Sequence, residues 1–264
     1  MSIRPIITLL TDFGTRDPYV AAMKGVILSL SPDAVLVDLT HEVPPQDIVA
    51  GAFILAEAWP YFPPGTIHLA VVDPGVGTKR RALAARAREC FWVGPDNGLF
   101  HLVFQEGDPV DLVSLENPRY FRETVSPTFQ GRDIFAPVAA HLSLGTPLHD
   151  FGPPIDKPAV LPWPQPVFTP EAVRGEIVYV DGFGTLLSNI KGSDFMAWQE
   201  GKSYLVILGG LTLEGLSRTY GDVLAGQFLA LIGSHGYLEI ACAQGNAARR
   251  LGVGRGRSLA VVRT

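Results

Sequence analysis

Short apolar runs that end in turn residues recur along the first half of the chain. Between them lie stretches whose apolar residues fall at helical spacing. Residues 5–10, 34–39 and 66–72 read as buried strands. Residues 18–30 and 44–59 read as helices, the first with Pro18 in its opening turn. Strand, helix, strand, helix, strand is the rhythm of a mostly parallel sheet with helices on its faces. Residues 82–88 and 90–93 predict two more strands, tightly joined, and Asp96-Asn97-Gly98 is a turn signal. A polar cluster from Thr128 to Asp133 leads into a helix that runs through about residue 144. Residues 152–170 are crowded with prolines (Pro153, Pro154, Pro158, Pro162, Pro164, Pro166 and Pro170), the pattern of an extended linker. Beyond it the strand-like runs 174–180, 186–190, 204–208, 227–232, 237–242 and 258–262 predict a small β domain, with only 246–251 helical. The expected organisation is an α/β domain over 1–151, the linker, and a β domain over 171–264.

Composition narrows the function. The chain has 264 residues, and nearly half are apolar, enough to bury a sizeable core. A net charge of -5 with no basic run argues against nucleic acid or an anionic membrane as partner. No signal peptide and no bilayer-length apolar stretch is seen. Cys90 and Cys242 lie far apart in apolar runs and read as reduced core residues, so the cytoplasm is the expected compartment. The six histidines show no metal-ligand spacing, and no metal site is expected. No Gly-x-Gly-x-x-Gly follows the first strand, Met196 stands where a phosphate-binding loop ending at Ser203 needs glycine, and no Gly-x-Ser-x-Gly elbow occurs.

The candidate chemistry sits at strand ends. Leu69 to Arg81 is an apolar run closed by Asp73, then a Pro74-Gly75-Val76-Gly77 turn that brings Arg80 and Arg81 back toward that carboxylate. Ligands collect beyond the carboxyl ends of strands in open α/β sheets. Asp12 and Asp38 end the other two early strands, which predicts an acidic cleft for a neutral or cationic substrate unless Arg80, Arg81 and Arg132 offset it. A plain turn in which Asp73 bonds its own backbone fits the same stretch. Asp12 also reads as a helix cap, Lys24 as a solvated charge, His41 as a core histidine, Asp181 as a turn residue, and Phe183 and Tyr220 as core aromatics.

Taken together the segments resemble the S-adenosyl-L-methionine (SAM) hydroxide adenosyltransferases, or SAM hydrolases, relatives of the fluorinases and chlorinases. The resemblance spans almost the whole chain. It is carried by Thr11-Asp12-Phe13-Gly14 with Tyr19 and Met23-Lys24-Gly25, by His41-Glu42-Val43-Pro44-Pro45, and by Val72-Asp73-Pro74-Gly75-Val76-Gly77-Thr78 with Arg80-Arg81. Pro95-Asp96-Asn97-Gly98, Gly131-Arg132-Asp133-Ile134-Phe135, and Ser234 with Gly236-Tyr237-Leu238-Glu239-Ile240-Ala241 follow in order. It implies an N-terminal α/β domain and a smaller all-β barrel. It also implies a homotrimer whose active sites join one subunit's N-terminal domain to a neighbour's C-terminal domain. SAM would be the substrate rather than a cofactor, and no other cofactor is expected. Water or hydroxide would attack C5′ of its ribose and release adenosine and L-methionine. Halogenating relatives carry an insertion before the position of Pro95 and a tyrosine at that of Asp73; neither is found here.

The family's nucleophile group of Asp, Arg and His carries over to Asp73, Arg80 and Gln130, the last a departure: Thr-Phe-His-Gly-Arg-Asp reads Thr128-Phe129-Gln130-Gly131-Arg132-Asp133. Glutamine donates and accepts hydrogen bonds but takes no proton near neutral pH. The resemblance also places Asp12 on the ribose hydroxyls, and Asp181 and Ser234, with His235 beside them, on methionine's ammonium and carboxylate. Phe183 and Tyr220 would pack on the adenine, with Thr185 where asparagine is usual at its edge. Gly131 stands where halogenases carry a halide-binding serine. A non-catalytic SAM or adenosine binder remains open because of Gln130, and a halide-using transferase is a further alternative.

Overall fold

The computed structural model of the chain describes residues 4–105 and 111–264, which fall into two compact units, one running through Leu161 and the other from Pro162 to Thr264. The first unit follows the expected rhythm. It runs β1 (Ile6–Thr11), α1 (Tyr19–Leu30), β2 (Val35–Thr40), α2 (Ile48–Ala58), β3 (Ile67–Val71), β4 (Ala82–Ala87), β5 (Cys90–Pro95), α3 (His101–Gln105), β6 (Asp111–Ser114) and α4 (Ala136–Ser143). The sheet order is β2-β1-β3-β5-β4-β6. The expected mostly parallel sheet is mixed: β1 pairs in parallel with β2 and β3, and β3 with β5, but β4 is antiparallel to both β5 and β6. The β4–β5 turn at Arg88 and Glu89 has φ of 54° and 59°, the backbone of a two-residue hairpin turn whose twist matches its strands.

Period-2 alternation divides β3 between two faces. Ile67, Leu69 and Val71 pack with Met23 and Ile27 of α1 and Phe135 to Leu142 at and within α4. On the other face Thr8, His68 and Trp92 lie in register across β1, β3 and β5. Thr8 Oγ1 meets His68 Nδ1 at 2.8 Å, and the imidazole stacks on Trp92 at 4.4 Å. Helix α2 begins four residues later than expected because Asp47 caps it, its carboxylate accepting from Ala50 N at 3.0 Å.

The second unit contains β7 (Val167–Phe168), β8 (Ala172–Val180), β9 (Leu186–Lys191), α5 (Gly192–Gln199), β10 (Tyr204–Leu208), β11 (Leu211–Glu214), β12 (Phe228–Ile232), β13 (Tyr237–Cys242), α6 (Ala247–Leu251) and β14 (Ser258–Arg263). Its strands pair antiparallel in the order β11-β10-β14-β8-β9-β13-β12, with β7 on β8. β11 approaches β12, so the sheet nearly closes into a barrel. Val173, Ile177, Phe195, Val206, Ile240 and Val261 fill it. The unit is not all-β: α5 was not expected, and its Phe195 is fully buried in that core.

Candidate active site

In the first unit the site grows from the end of β3. Asn97 Nδ2 donates to Val72 O at 2.8 Å and pins the strand end. Two successive turns follow, with Val76 N donating to Asp73 O and Thr78 N to Gly75 O. Gly77 takes φ of 77°, which a side chain resists, and Gly75 leaves room for Arg80, whose Cγ lies 3.3 Å from where a Cβ would be. The chain therefore folds back, and Arg80 Nε donates to Asp73 Oδ1 at 2.9 Å and Oδ2 at 3.0 Å. Arg80 Nη2 donates both to Asp73 Oδ2 and to Gln130 Oε1. The side chains of Asp73 and Arg80 are only 5% and 10% exposed. Phe135 lies 5.4 Å from the guanidinium carbon. Asp73, Arg80 and Gln130 are thus one connected cluster. Asp73 is not the self-bonded turn residue of the alternative reading.

Arg81 does not return to Asp73. Its Nε donates to Asp96 Oδ2 at 2.8 Å, and Nη2 to Lys157 O. Nor are the strand-end carboxylates all left uncompensated among the described residues. Asp12 Oδ2 accepts from Gln46 N at 2.7 Å, while Oδ1 has no partner among the described residues. Asp38 receives Lys24 Nζ at 2.6 Å and lies 3.0 Å from His41 Nε2. Burial would raise the Asp38 carboxyl, but Lys24 and His41 hold it below the ordinary value. Lys24 is therefore paired rather than merely solvated, and His41 is the buried, hydrogen-bonded histidine expected, its Nδ1 on Thr11 Oγ1 at 2.8 Å.

The helical turn Gly131–Phe135 that Gln130 opens is held by Asp133, whose fully buried carboxylate accepts from Arg132 at 2.6 and 2.9 Å, Arg122 at 3.1 Å and Ser126 N at 2.9 Å. Burial pushes this carboxyl up, and those hydrogen bonds more than offset it. A Cβ on Gly131 would stand 3.3 Å from Met23 Sδ and 3.5 Å from the Phe13 ring, so this position packs against the segment that carries Asp12. Phe13, Tyr19 and Phe129 meet edge to face at 5.3 to 6.0 Å and line a hollow of about 410 Å³ with Ser126, Thr128 and Arg132. Sequence reasoning gave Tyr19 and Phe129 no role; their only signal was their place within quoted motifs.

In the second unit Asp181, Phe183, Thr185, Tyr220, Ser234 and His235 line one cavity of about 520 Å³. All six were singled out from the sequence. Asp181 Oδ1 accepts from Phe183 N at 2.9 Å and Thr185 N at 2.7 Å, so it does shape the turn. Phe183 is 84% exposed and Tyr220 about half exposed, so neither is a core aromatic. Tyr220 is set by a capping box, Thr219 with Asp222. Its hydroxyl donates to Glu239 Oε2 at 3.1 Å. Burial, the Glu239 charge and that bond push the Tyr220 phenol up to about 12. Glu239, buried in the same cavity, was read only as part of a motif. No group of acidic, histidine and cysteine residues suited to a metal ion occurs among the described residues.

Comparison with known proteins bears on both halves. The family models for the SAM hydroxide adenosyltransferase N-terminal and C-terminal domains match residues 7–152 and 175–260. The chain belongs to the SAM hydroxide adenosyltransferase family. It is 41% identical over 263 residues to the (R)-S-adenosyl-L-methionine hydrolase of Thermus thermophilus, covering 96% of this chain and 98% of that one. It is 40% identical to the protein of the same name from Salinispora tropica, with 99% of each covered. A fluorinase from Actinoplanes sp. is 29% identical, with 90% of each covered. A solved structure described as an uncharacterized conserved protein from Thermotoga maritima superposes with a TM-score of 0.90 at 37% identity, covering 97% of this chain and all of that one.

Proposed function

We propose that this protein hydrolyses SAM to adenosine and L-methionine, with water or hydroxide attacking C5′ of the ribose. The observation that carries the reading is the buried Asp73–Arg80–Gln130 cluster at the end of a parallel strand. The names and near full-length coverage of the hydrolase relatives support it. A sulfonium leaves as a neutral thioether, so no acid is needed at sulfur. What the protein must supply is an oriented, partly dehydrated nucleophile. Asp73 orients the water, and Arg80 stabilises the oxygen as it acquires hydroxide character. Asp12, with one carboxylate oxygen unpartnered among the described residues, binds the ribose hydroxyls. In the second unit Phe183 and Tyr220 supply flat faces for adenine, with Thr185 at its edge, and Asp181, Ser234 and His235 take the amino-acid end. SAM is the substrate, no resident cofactor takes part, and the working form is a homotrimer.

The test is incubation of the purified protein with SAM, following adenosine and methionine by chromatography. Equal amounts of both products are expected; tight SAM binding without product overturns the reading. Gln130 in place of the family's histidine favours one rival, a SAM or adenosine binder without turnover. Recovery of hydrolysis only in Gln130→His would establish that rival. A 5′-halogenated nucleoside formed in chloride or fluoride would mark a halide-using transferase. Light scattering tests the trimer, and a mass three times that of the chain is expected.

A further inference from the structure

We propose that Gln130 serves as a fixed hydrogen-bond donor to the attacking oxygen, leaving Asp73 as the one group of the cluster that receives the nucleophile's proton. This rests on the hydrolase reading above. A guanidinium donates and never accepts, so its contact with Gln130 fixes the amide's orientation: Oε1 faces Arg80 and the NH2 faces away. That NH2 has no partner among the described residues, and Gln130 is not fully buried. It is therefore a pair of N–H donors that the described residues leave available.

Arg80 has one N–H to spare, and otherwise stabilises the oxygen through its charge. Of its five N–H groups, Nε–H is on Asp73, the two of Nη2 are on Asp73 and Gln130, and one of Nη1 is on Arg81 O at 3.2 Å. Asp73 has both oxygens on Arg80, yet each carboxylate oxygen accepts more than one hydrogen bond, so a water O–H can still be received there. A water between the two groups would donate to Asp73 and accept from Gln130. In the reaction the O–C5′ bond forms, and the C5′–S bond breaks with its electron pair going to sulfur. The water proton passes to Asp73 and then to solvent.

Gln130→Glu is the discriminating variant, because it keeps an oxygen for Arg80 and removes the donor. Its kcat is expected to fall about 100-fold, the effect of losing one donor to a developing oxyanion, with little change in KM for SAM. A role limited to positioning Arg80 would leave kcat at the wild-type value and overturn the proposal. The wild-type kcat profile should show no inflection near pH 6.5, whereas Gln130→His should gain one, its rate rising as the imidazole loses its proton. A wild-type inflection there would also overturn it. If the wild type forms no product from SAM, the hydrolase reading fails, and the donor role is judged by a crystal structure with adenosine. A water or anion within about 3.2 Å of Gln130 Nε2 supports the role, and an Nε2 turned onto protein refutes it.

Discussion

At the scale of single residues, what was legible was chemistry held within a few positions. Asp73 and Arg80 lie either side of a turn marked by Pro74, Gly75 and Gly77, and local turn geometry brings them together. Arg81 was misplaced because adjacent residues on an extended segment point to opposite sides, and nothing local names Asp96 as its partner. Gln130's contact spans 50 positions and has no local signature. The pair's burial gives it a stability consequence. Arg80→Met leaves a carboxylate that is 5% exposed without its cation, which should cost about 3–5 kcal/mol in urea unfolding at neutral pH. The double variant with Asp73→Asn should recover most of the loss; failure to recover would mean that the two side chains act separately. Tyr220 offers a second check. Its phenol, pushed up to about 12 by burial and Glu239, should be missing from an ultraviolet tyrosine titration below pH 11. It should titrate earlier in Glu239→Gln, and Tyr220→Phe identifies the signal.

At the scale of elements, periodicity located β1 to β5 and both early helices to within a few residues, because the sheet buries β1 and β3 almost completely and leaves a continuous apolar run. α3, β6 and α5 were not read, being short and carrying too few apolar positions for either period to show. β3 also carries a charge-sensitive group that its apolar pattern hides. His68 is fully buried against Trp92 and Phe62, with Nε2 unpartnered among the described residues, and burial pulls its pKa down from 6.5 to about 3. The folded state therefore keeps His68 neutral where the unfolded chain binds a proton. Its contribution is complete above pH 6.5 and is lost as pH falls toward 3, by up to about 1.4 kcal/mol per pH unit. Carboxylates add their own slope, so the measurement is a difference: the wild type should lose stability faster than His68→Phe between pH 6.5 and 4. Parallel curves would show that the imidazole finds a proton-accepting partner when it charges.

At the scale of the whole molecule, the family relationship was legible because the motifs keep their order over nearly the full length, which chance matches to single turns do not. The proline-rich segment was harder to read. Prolines lack N–H donors, but their carbonyls accept and their neighbours donate. Residues 152–161 use this to lie along the first unit: Ser114 N donates to Pro153 O, Ile155 N to Leu112 O, and Ala159 N to Asp96 Oδ1 at 2.6 Å. Gly98 leaves room for Leu161 to sit buried against it. Asp96 is the hub, nearly buried, with Arg81 on its other oxygen and Arg81 in turn on Lys157 O. Removing it strands the Ala159 amide and unties Arg81 at the same place. Asp96→Ala should therefore cost about 1 kcal/mol, the ordinary net worth of a lost hydrogen bond between partly exposed groups, and open residues 155–161 to limited proteolysis, read as new fragments by mass spectrometry. Asp96→Asn, which keeps an acceptor for Ala159 and gives up the charge, should be cut more slowly than Asp96→Ala. Equal cutting of the two would place the restraint in the ion pair with Arg81 rather than in the bond to the strap.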